Sequence, residues 1–348
     1  MSAPLSESKK PLRVAAYTGG KNVPGTRFRV RQYVKDLEQH GIELEEFASR
    51  FGQYPPSALW RRPGWFLAAF AERSLQIPGS YGYDAVIFQR ELLSTLITLE
   101  PLFSRPRILD VDDAIWIHRR GAFAGKLASR CDAVICGNAY LAEYFGQHCE
   151  RTFLLPTAVD AKRFSPLLGL AQPTQVIGWS GTSGNLVELE RIEPALRTVM
   201  ARFPKARLRV ICNHRPALGT LPADRVEYVP WPPEVEVSAL QDLQVGLMPL
   251  EDTAWTRGKC AFKMLTYMAC AVPVVVSPVG MNADVLAMGQ VGFGARTKDE
   301  WVDALTTLLA EPGTAQQLGK NGRAVVDANF SVQVLSSRLA EIIRTVAD

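Results

Sequence analysis

The sequence lacks the features that mark several classes of protein. Its four histidines are few and its six cysteines form no C-x-x-C pair, so we expect no zinc site. No apolar run approaches the roughly 20 residues that span a bilayer, and residues 1–10 lack the apolar core of a signal peptide. We therefore expect a cytoplasmic protein with reduced, mostly buried thiols, and leave attachment to the inner face of the membrane open.

Two nucleotide-binding signatures and a strong charge are also missing. The turn at Gly19 and Gly20 is not G-x-G-x-x-G, and the loop 178–185 lacks the lysine of a P-loop. The net charge is +4, too small to predict a broad nucleic-acid surface. This charge is unevenly divided, with a balance of +5 in residues 1–170 and of −1 in residues 171–348.

The apolar pattern predicts an α/β fold. Short Val-, Ile- and Leu-rich runs alternate with amphipathic segments, which indicates parallel sheets covered on both faces. The pattern restarts after a stretch at 160–175 that contains Pro and Gly. We predict two doubly wound domains, 1–165 and 166–330, and a C-terminal helix within 331–348. The predicted strands are Leu12–Tyr17, Ala85–Phe88, Arg107–Val111, Ala133–Cys136, Thr152–Leu155, Thr174–Trp179, Arg207–Cys212, Val226–Val229, Val245–Met248 and Val272–Val276.

Helical segments are predicted between these strands. They are Phe28–His40, Leu59–Gln76, Glu91–Leu102, Ala139–Gln147, Leu186–Phe203 and Val332–Ala347.

Charged residues near two elements of the first half are candidates for a site. Asp110, Asp112 and Asp113 end an apolar strand, where carboxylates are costly unless they face a site. A catalytic carboxylate, a metal ligand and a helix cap all remain open for them. Arg27 and Arg29 have the planar fork that suits phosphate or carboxylate, although a solvated helix start explains them equally well.

Three loops of the second half converge on one edge of the predicted sheet. Gly181, Thr182 and Ser183 lie in a small-residue loop whose backbone N–H groups favour an anion, with a capped turn as the alternative. Lys259 and Lys263 stand at the start of a helix, where cations oppose the helix dipole unless an anion is bound there. The turn at 277–280 returns to the same edge. This convergence predicts a phosphate site.

The segment Asp242–Leu286, which contains RGKCAFKMLTYMACAVPVVVSPVG, resembles glycosyltransferase family 4. The stretches VIGWSGTSGN, EYVPW, DVDDAIW and LPTAVD support the resemblance. It implies a GT-B fold, in which two Rossmann-like domains face a central cleft and the C-terminal helix returns to the first domain. It also implies a retaining transfer from a nucleotide-diphosphate sugar, without metal or cofactor.

The resemblance also implies roles for individual residues. It places the diphosphate on the loop 258–261, the base near residues 228–232, and the transferred sugar near Gly19 and Gly20. The donor-binding residues would be Gly19, Gly181, Thr182, Ser183, Trp231, Lys259, Cys260, Ala261, Lys263, Thr266 and Gly280. The catalytic residues would be Asp112, Lys259 and Gly20, and the acceptor-side residues Arg27, Arg29, Asp113 and His118.

The sequence departs from the family's pattern at several of these positions. The family's two Glu correspond to Gly258 and Thr266, and the cleft His corresponds to Asp112. The usual Arg and Lys that neutralise the diphosphate correspond to Trp179 and Asn185. We infer that Lys259 and Lys263 replace them. The losses leave a non-catalytic nucleotide-sugar-binding subunit open as an alternative, and a nucleotide-sugar epimerase as a third.

The acceptor is the least defined partner. The excess positive charge lies in the first half, which the family makes the acceptor side, so we expect an anionic, lipid-linked or saccharide acceptor. Residues 60–66 mix aromatic and basic side chains, which suits a membrane surface, an aromatic platform or a partly buried helix start.

Overall fold

The computed structural model describes residues 10–21, 23–94, 96–120, 122–167, 174–230 and 235–348. The chain divides into two compact units, unit 1 with Met1–Pro156 and Leu335–Asp348, and unit 2 with Thr157–Val334. The sequence pattern placed this boundary at 165/166. The intervening segment lies with unit 2 because Val159 bridges to Ser331 and the Phe164 carbonyl accepts a hydrogen bond from Arg323 at 3.0 Å.

Each unit is built on a six-stranded sheet, and all neighbouring strands pair in parallel. The strands of unit 1 are β1 (Leu12–Thr18), β2 (Ile42–Ala48), β3 (Ala85–Gln89), β4 (Arg107–Val111), β5 (Ala133–Cys136) and β6 (Thr152–Leu154). Those of unit 2 are β7 (Val176–Gly181), β8 (Arg207–Cys212), β9 (Val226–Pro230), β10 (Val245–Met248), β11 (Val274–Val276) and β12 (Gly292–Gly294). The prediction of two doubly wound parallel sheets is confirmed.

Helices connect the strands. In chain order they are α1 (Pro24–Arg29), α2 (Val34–Gln39), α3 (Arg62–Ser80), α4 (Ala122–Ala128), α5 (Ala139–Gly146), α6 (Leu186–Arg191), α7 (Glu193–Arg202), α8 (Ser238–Gln241), α9 (Ala254–Arg257), α10 (Phe262–Ala269), α11 (Met281–Ala287), α12 (Lys298–Ala310), α13 (Pro312–Asn329) and α14 (Val332–Ala347). From Leu335 onward α14 lies in unit 1. No helix of the described residues is long and apolar enough to cross a membrane.

Strand order reverses once in each sheet. In unit 1 the order is β2-β1-β3-β4-β5-β6, and in unit 2 it is β12-β11-β10-β7-β8-β9. The loops that leave β1 and β3 therefore diverge from one point of the first sheet, and those that leave β7 and β10 from one point of the second. Ligands of doubly wound sheets bind in the crevice at such a switch point, outside the carboxyl ends of the strands.

Three parts of the sequence prediction for unit 1 are wrong. Strand β2 was missed because its buried Ile42 and Leu44 alternate with exposed Glu43 and Glu45, so this edge strand has no continuous apolar run. The predicted helix Phe28–His40 is broken at Val30, whose φ of −127° is not helical, into α1, a 3-10 turn and α2.

The predicted helix Glu91–Leu102 is also wrong, and most of this segment is a loop. The buried Glu100 carboxylate accepts hydrogen bonds from the backbone N–H groups of Leu92 at 2.9 Å and Thr98 at 2.7 Å. These amides are bound by a side chain instead of by the carbonyls of a helix, which is how polar side chains compete with regular structure.

Candidate active site

The switch point of unit 2 brings together the loops that the sequence singled out. Gly181 is the last residue of β7 and Thr182 and Ser183 follow it, while the chain after β10 leads through α9 to Lys259, just before α10. The Ser183 N–H donates to Asn213 Oδ1 at 2.7 Å, so this amide already has a partner. An anion at this edge of the sheet would therefore have to be bound by other groups.

Two lysines from the α10 side supply positive charge there. Lys259 Nζ donates to Asn185 Oδ1 at 2.6 Å, which ties the start of α10 to the loop after β7. Lys263 Nζ lies 4.7 Å from the centroid of the buried Trp179 ring, a cation–π geometry. A Cβ built on Gly181 would lie 2.5 Å from the same Nζ, so only glycine leaves the lysine this position.

The environment of Lys263 disfavours its charge. Burial, followed by repulsion from Lys259, lowers the pKa of Lys263 to about 7, while Cys212 and Glu188 act weakly in the opposite direction. The Glu188 carboxylate accepts the Glu251 N–H at 2.8 Å and lies 3.6 Å from Arg191. Lys263 forms no ion pair with any residue in the described ranges, so a bound anion would stabilise its charged form.

The start of α10 is strained in a way that the sequence did not show. Ala261 has φ +50° at the N-cap position, and among the described residues no side chain caps the helix. An alanine in the left-handed region costs about 1–2 kcal/mol, and such outliers are found at ligand-binding sites. Cys260 beside it is buried, and its Sγ contacts the Gly258 carbonyl at 3.9 Å.

Three other predicted donor residues have different surroundings. Thr266 is buried and its hydroxyl donates to the Lys263 carbonyl at 2.8 Å, so it is occupied within its own helix. Gly280 has φ +52°, and a Cβ there would lie 2.7 Å from the Arg257 carbonyl oxygen, so glycine lets the turn after β11 pack against α9. Trp231 lies outside the described residues.

The switch point of unit 1 holds the candidate catalytic residues of that unit. Gly20 follows β1 with φ +141°, and a Cβ built on its neighbour Gly19 would lie 2.8 Å from Gln53 Oε1. Asp112 follows β4 and accepts a hydrogen bond from Arg90 Nε at 2.7 Å. Arg90 also pairs with Asp113. Although burial opposes it, these two carboxylates raise the pKa of Arg90 above its usual value.

Arg90 is a residue that the sequence analysis missed. It has φ +62° directly after β3 and holds Asp112 and Asp113 in one cluster. The preceding Gln89 is 2% exposed, and neither of its amide atoms has a hydrogen-bond partner among the described residues. Its Nε2 lies 2.8 Å from the position of a Cβ on Gly25. The sign available in the sequence was the polar pair Gln89-Arg90 at the end of a buried strand.

The acceptor-side role predicted for Arg29 does not fit the structure. Its side chain is fully buried, donates to Asp110 Oδ2 at 3.1 Å and to the Leu155 carbonyl at 2.8 Å, and so joins α1 to the sheet. Burial raises the pKa of Asp110, although Arg29 opposes this. The guanidinium of Arg27 packs on the ring of Phe28, 4.3 Å from its centroid. The side chain of His118 is outside the described part of the structure.

Metal and thiol chemistry have few candidates. No group of three or more His, Cys, Asp or Glu side chains in the described ranges could hold a metal ion. All six cysteines are free and buried, as predicted, and burial raises the pKa of Cys136 to about 12. Such thiols are inert. The polar groups that the described part of the site offers are its lysines, carboxylates and backbone amides.

Residues 176–311 match the family model described as glycosyl transferases group 1. This group 1 region contains β7, the start of α10 and both lysines. A GDP-mannose-dependent monoacylated alpha-(1-6)-phosphatidylinositol monomannoside mannosyltransferase of Corynebacterium glutamicum is 28% identical over 227 residues. That alignment covers 58% of this chain and 58% of the relative, so the match spans little more than half of the relative's length.

Solved structures extend the similarity to both units. Sucrose-phosphate synthase from Thermosynechococcus elongatus aligns with a TM-score of 0.70 at 18% identity, covering 96% of this chain and 98% of that one. HepE from Anabaena, solved with UDP and glucose, aligns with a TM-score of 0.67 at 16% identity, covering 96% and 100%. These similarities concern the fold, and the predicted two-domain α/β fold of the GT-B type is confirmed.

Proposed function

We propose that the protein transfers a glycosyl group from a nucleoside-diphosphate sugar to an acceptor with retention of configuration, and that the donor binds at the switch point of unit 2. The observation that carries this proposal is the convergence of Lys259 and Lys263 on the end of β7 and the loop that follows it. It is supported by the group 1 match over the same residues.

The positions of the two lysines explain how the site keeps its charge. The residues at which the resembled family carries Arg and Lys are Trp179 and Asn185. Lys263 lies over Trp179 and Lys259 is bonded to Asn185. The positive charges thus lie beside the places where the family has them, but come from α10 instead of from the loop after β7. This arrangement favours retained donor binding over a vestigial site.

The lysines would act on the leaving group. As the bond between the sugar and the diphosphate breaks, negative charge develops on the departing phosphate, and cations already in place stabilise it by several kcal/mol. The acceptor oxygen forms the new bond on the same face of the sugar and passes its proton to the leaving phosphate. We propose that this needs no metal or cofactor, because the two ammonium groups supply the charge.

Unit 1 would supply the acceptor side of the reaction. Gly20 turns the chain with φ +141° and would lie near the transferred sugar, and Asp112, held by Arg90, would orient the acceptor or steady positive charge on the sugar. The relatives' names suggest two donor probes. The Corynebacterium enzyme is described as GDP-mannose-dependent, and a HepE structure contains UDP-glucose.

The test is calorimetric titration of the full chain with GDP and with UDP, followed by turnover of the matching nucleotide sugar. For the nucleotide that binds the wild type, Lys259→Ala should raise Kd by about ten- to a hundredfold, the usual range for one charge-assisted hydrogen bond. Turnover should fall further while circular dichroism is unchanged. The control Lys205→Ala removes an exposed lysine of the same unit and should change neither value.

Three outcomes would contradict the proposal. Wild-type-like turnover of Lys259→Ala at subsaturating donor would remove the lysine from the mechanism. Tight nucleotide binding without hydrolysis or transfer to any acceptor would favour the non-catalytic subunit. Interconversion of free nucleotide sugars without an acceptor would indicate the epimerase.

A further inference from the structure

Unit 1 contains a cavity of about 900 Å³ that the proposed transfer does not use. It lies beside the carboxyl ends of β1 and β2 and against α3. Its charged lining consists of Lys21, Arg31, Glu46, Arg50 and Glu72, and its apolar lining includes Leu75. We call it the head-group pocket.

The two carboxylates of the head-group pocket already have hydrogen-bond partners within the fold. Glu46 accepts two hydrogen bonds from the Arg31 guanidinium, at 2.7 and 2.8 Å. Glu72 accepts the Arg50 backbone N–H at 3.1 Å and a hydroxyl at 3.0 Å. The side chains of Lys21 and Arg50 form no hydrogen bond or ion pair with any residue in the described ranges. Glu72 keeps its negative charge, so the lining has an excess of one cation, and the exposed Lys21 and Arg50 are the cations that an anion in the cavity would meet.

An exposed apolar stripe runs along α3 from the same pocket. It consists of Leu67, Phe70 and Leu75, of which Leu67 is 68% and Leu75 82% exposed. Residues 67, 70, 71, 74 and 75 share one face of a helix, and Leu75 also lines the pocket. Just before α3, Trp60 is 77% exposed with the Arg61 guanidinium 4.8 Å from its ring centroid.

We propose that this surface binds a bilayer of anionic phospholipid, with a lipid phosphate in the head-group pocket and the apolar stripe at the level of the acyl chains. Lys21 and Arg50 match the charge of the phosphate, and the adjoining stripe matches the hydrocarbon. Large exposed apolar side chains beside basic groups are the composition of helices that lie in the membrane interface. Inorganic phosphate alone would leave the stripe in water.

The proposal is tested by sedimentation of the full chain with vesicles of phosphatidylcholine, with or without phosphatidylglycerol, in the absence of any nucleotide. Binding should require phosphatidylglycerol and weaken with salt. The double variant Lys21→Ala/Arg50→Ala should bind about 30-fold more weakly, at about fivefold for each cation near an anionic surface. Leu67→Ser/Leu75→Ser should lose at least about tenfold.

The matched control is Lys35→Ala. Lys35 is an exposed cation of α2, and right-handed connections place α2 and α3 on opposite faces of the sheet. This variant should bind like the wild type. Binding that is equal with and without phosphatidylglycerol, unchanged in the double variant, or equally lost in Lys35→Ala would overturn the proposal. Because no nucleotide is present, these results are separate from the fate of the proposed transfer.

Discussion

Donor affinity should depend on pH through Lys263. The pKa of this lysine in the free protein is about 7, because of burial and the neighbouring Lys259. A diphosphate bound beside it favours the charged ammonium, so the pKa rises in the complex and binding takes up a proton. Below pH 7 the lysine is protonated in both states. Above pH 7, Kd increases by at most about tenfold for each pH unit until the pKa of the complex is reached.

The size of this effect can be worked out for GDP or UDP between pH 7.5 and 9, where the phosphates are ionised. The protonated fraction of a group with a pKa of about 7 falls by about 25-fold over this range, which is the largest increase in Kd that Lys263 can produce. Calorimetry in two buffers of different ionisation enthalpy measures the proton uptake directly. Lys263→Met should bind more weakly, with a flat profile and no uptake.

In the protein without nucleotide, the effect of pH on stability through Lys263 should have the opposite sign. Unfolded Lys263 keeps the proton that folded Lys263 loses above pH 7, so its contribution to the free energy of unfolding rises with pH from about 7 to 10.

A wild-type Kd that does not change between pH 7.5 and 9 would refute the assignment of the pH dependence of binding to Lys263. So would a Lys263→Met variant with the pH profile of the wild type. Lys205→Met should retain the wild-type profile.

Two further predictions concern stability, measured by urea unfolding. Gln89→Met should raise the free energy of unfolding by about 1–3 kcal/mol because it removes a buried amide to which the described residues offer no partner. Gln53→Met should lower the free energy of unfolding because the Gln53 amide donates to the Glu91 carbonyl at 2.9 Å. Equal destabilisation by both would contradict this. Gly280→Ala should lower the free energy of unfolding by about 1–3 kcal/mol, since the φ of Gly280 is +52° and a Cβ would meet the Arg257 carbonyl. The control Gly313→Ala should raise the free energy of unfolding, because Gly313 is helical and has open space around its Cβ. Equal loss of stability in both variants would contradict this prediction.

The fold could be predicted from the sequence where burial was continuous. Strands such as β5 and β10 were located to the residue, since a strand that is buried on both faces is an uninterrupted apolar run. The prediction failed where long-range contacts decided local structure. The loop before Glu100 forms because one buried carboxylate binds backbone amides, and apolar spacing contains no sign of that.

The candidate site could be predicted only in part. The lysines at the start of α10 stood out because their position opposes the helix dipole. Their hydrogen-bond partners could not be predicted, because Lys259 binds Asn185, which is 74 positions away in the chain. The partner of Arg29 could not be predicted either, because Asp110 is 81 positions away in the chain. In the sequence, this structural ion pair therefore looked like two separate ligand-binding residues. Residue type can indicate chemistry, but the pairing of charges depends on the topology.

The return of α14 to unit 1 bears on the order in which the protein is completed during synthesis. Residues 335–348 belong to unit 1, and their buried side chains include Leu339, Ile342 and Ile343. On the ribosome, unit 2 emerges whole while unit 1 still lacks its last helix, so a nascent chain that ends before residue 335 exposes the apolar surface that α14 covers. Domains generally fold as units during synthesis. For this chain the unit that begins first would finish last, and a stalled or shortened product would be the species most prone to aggregate.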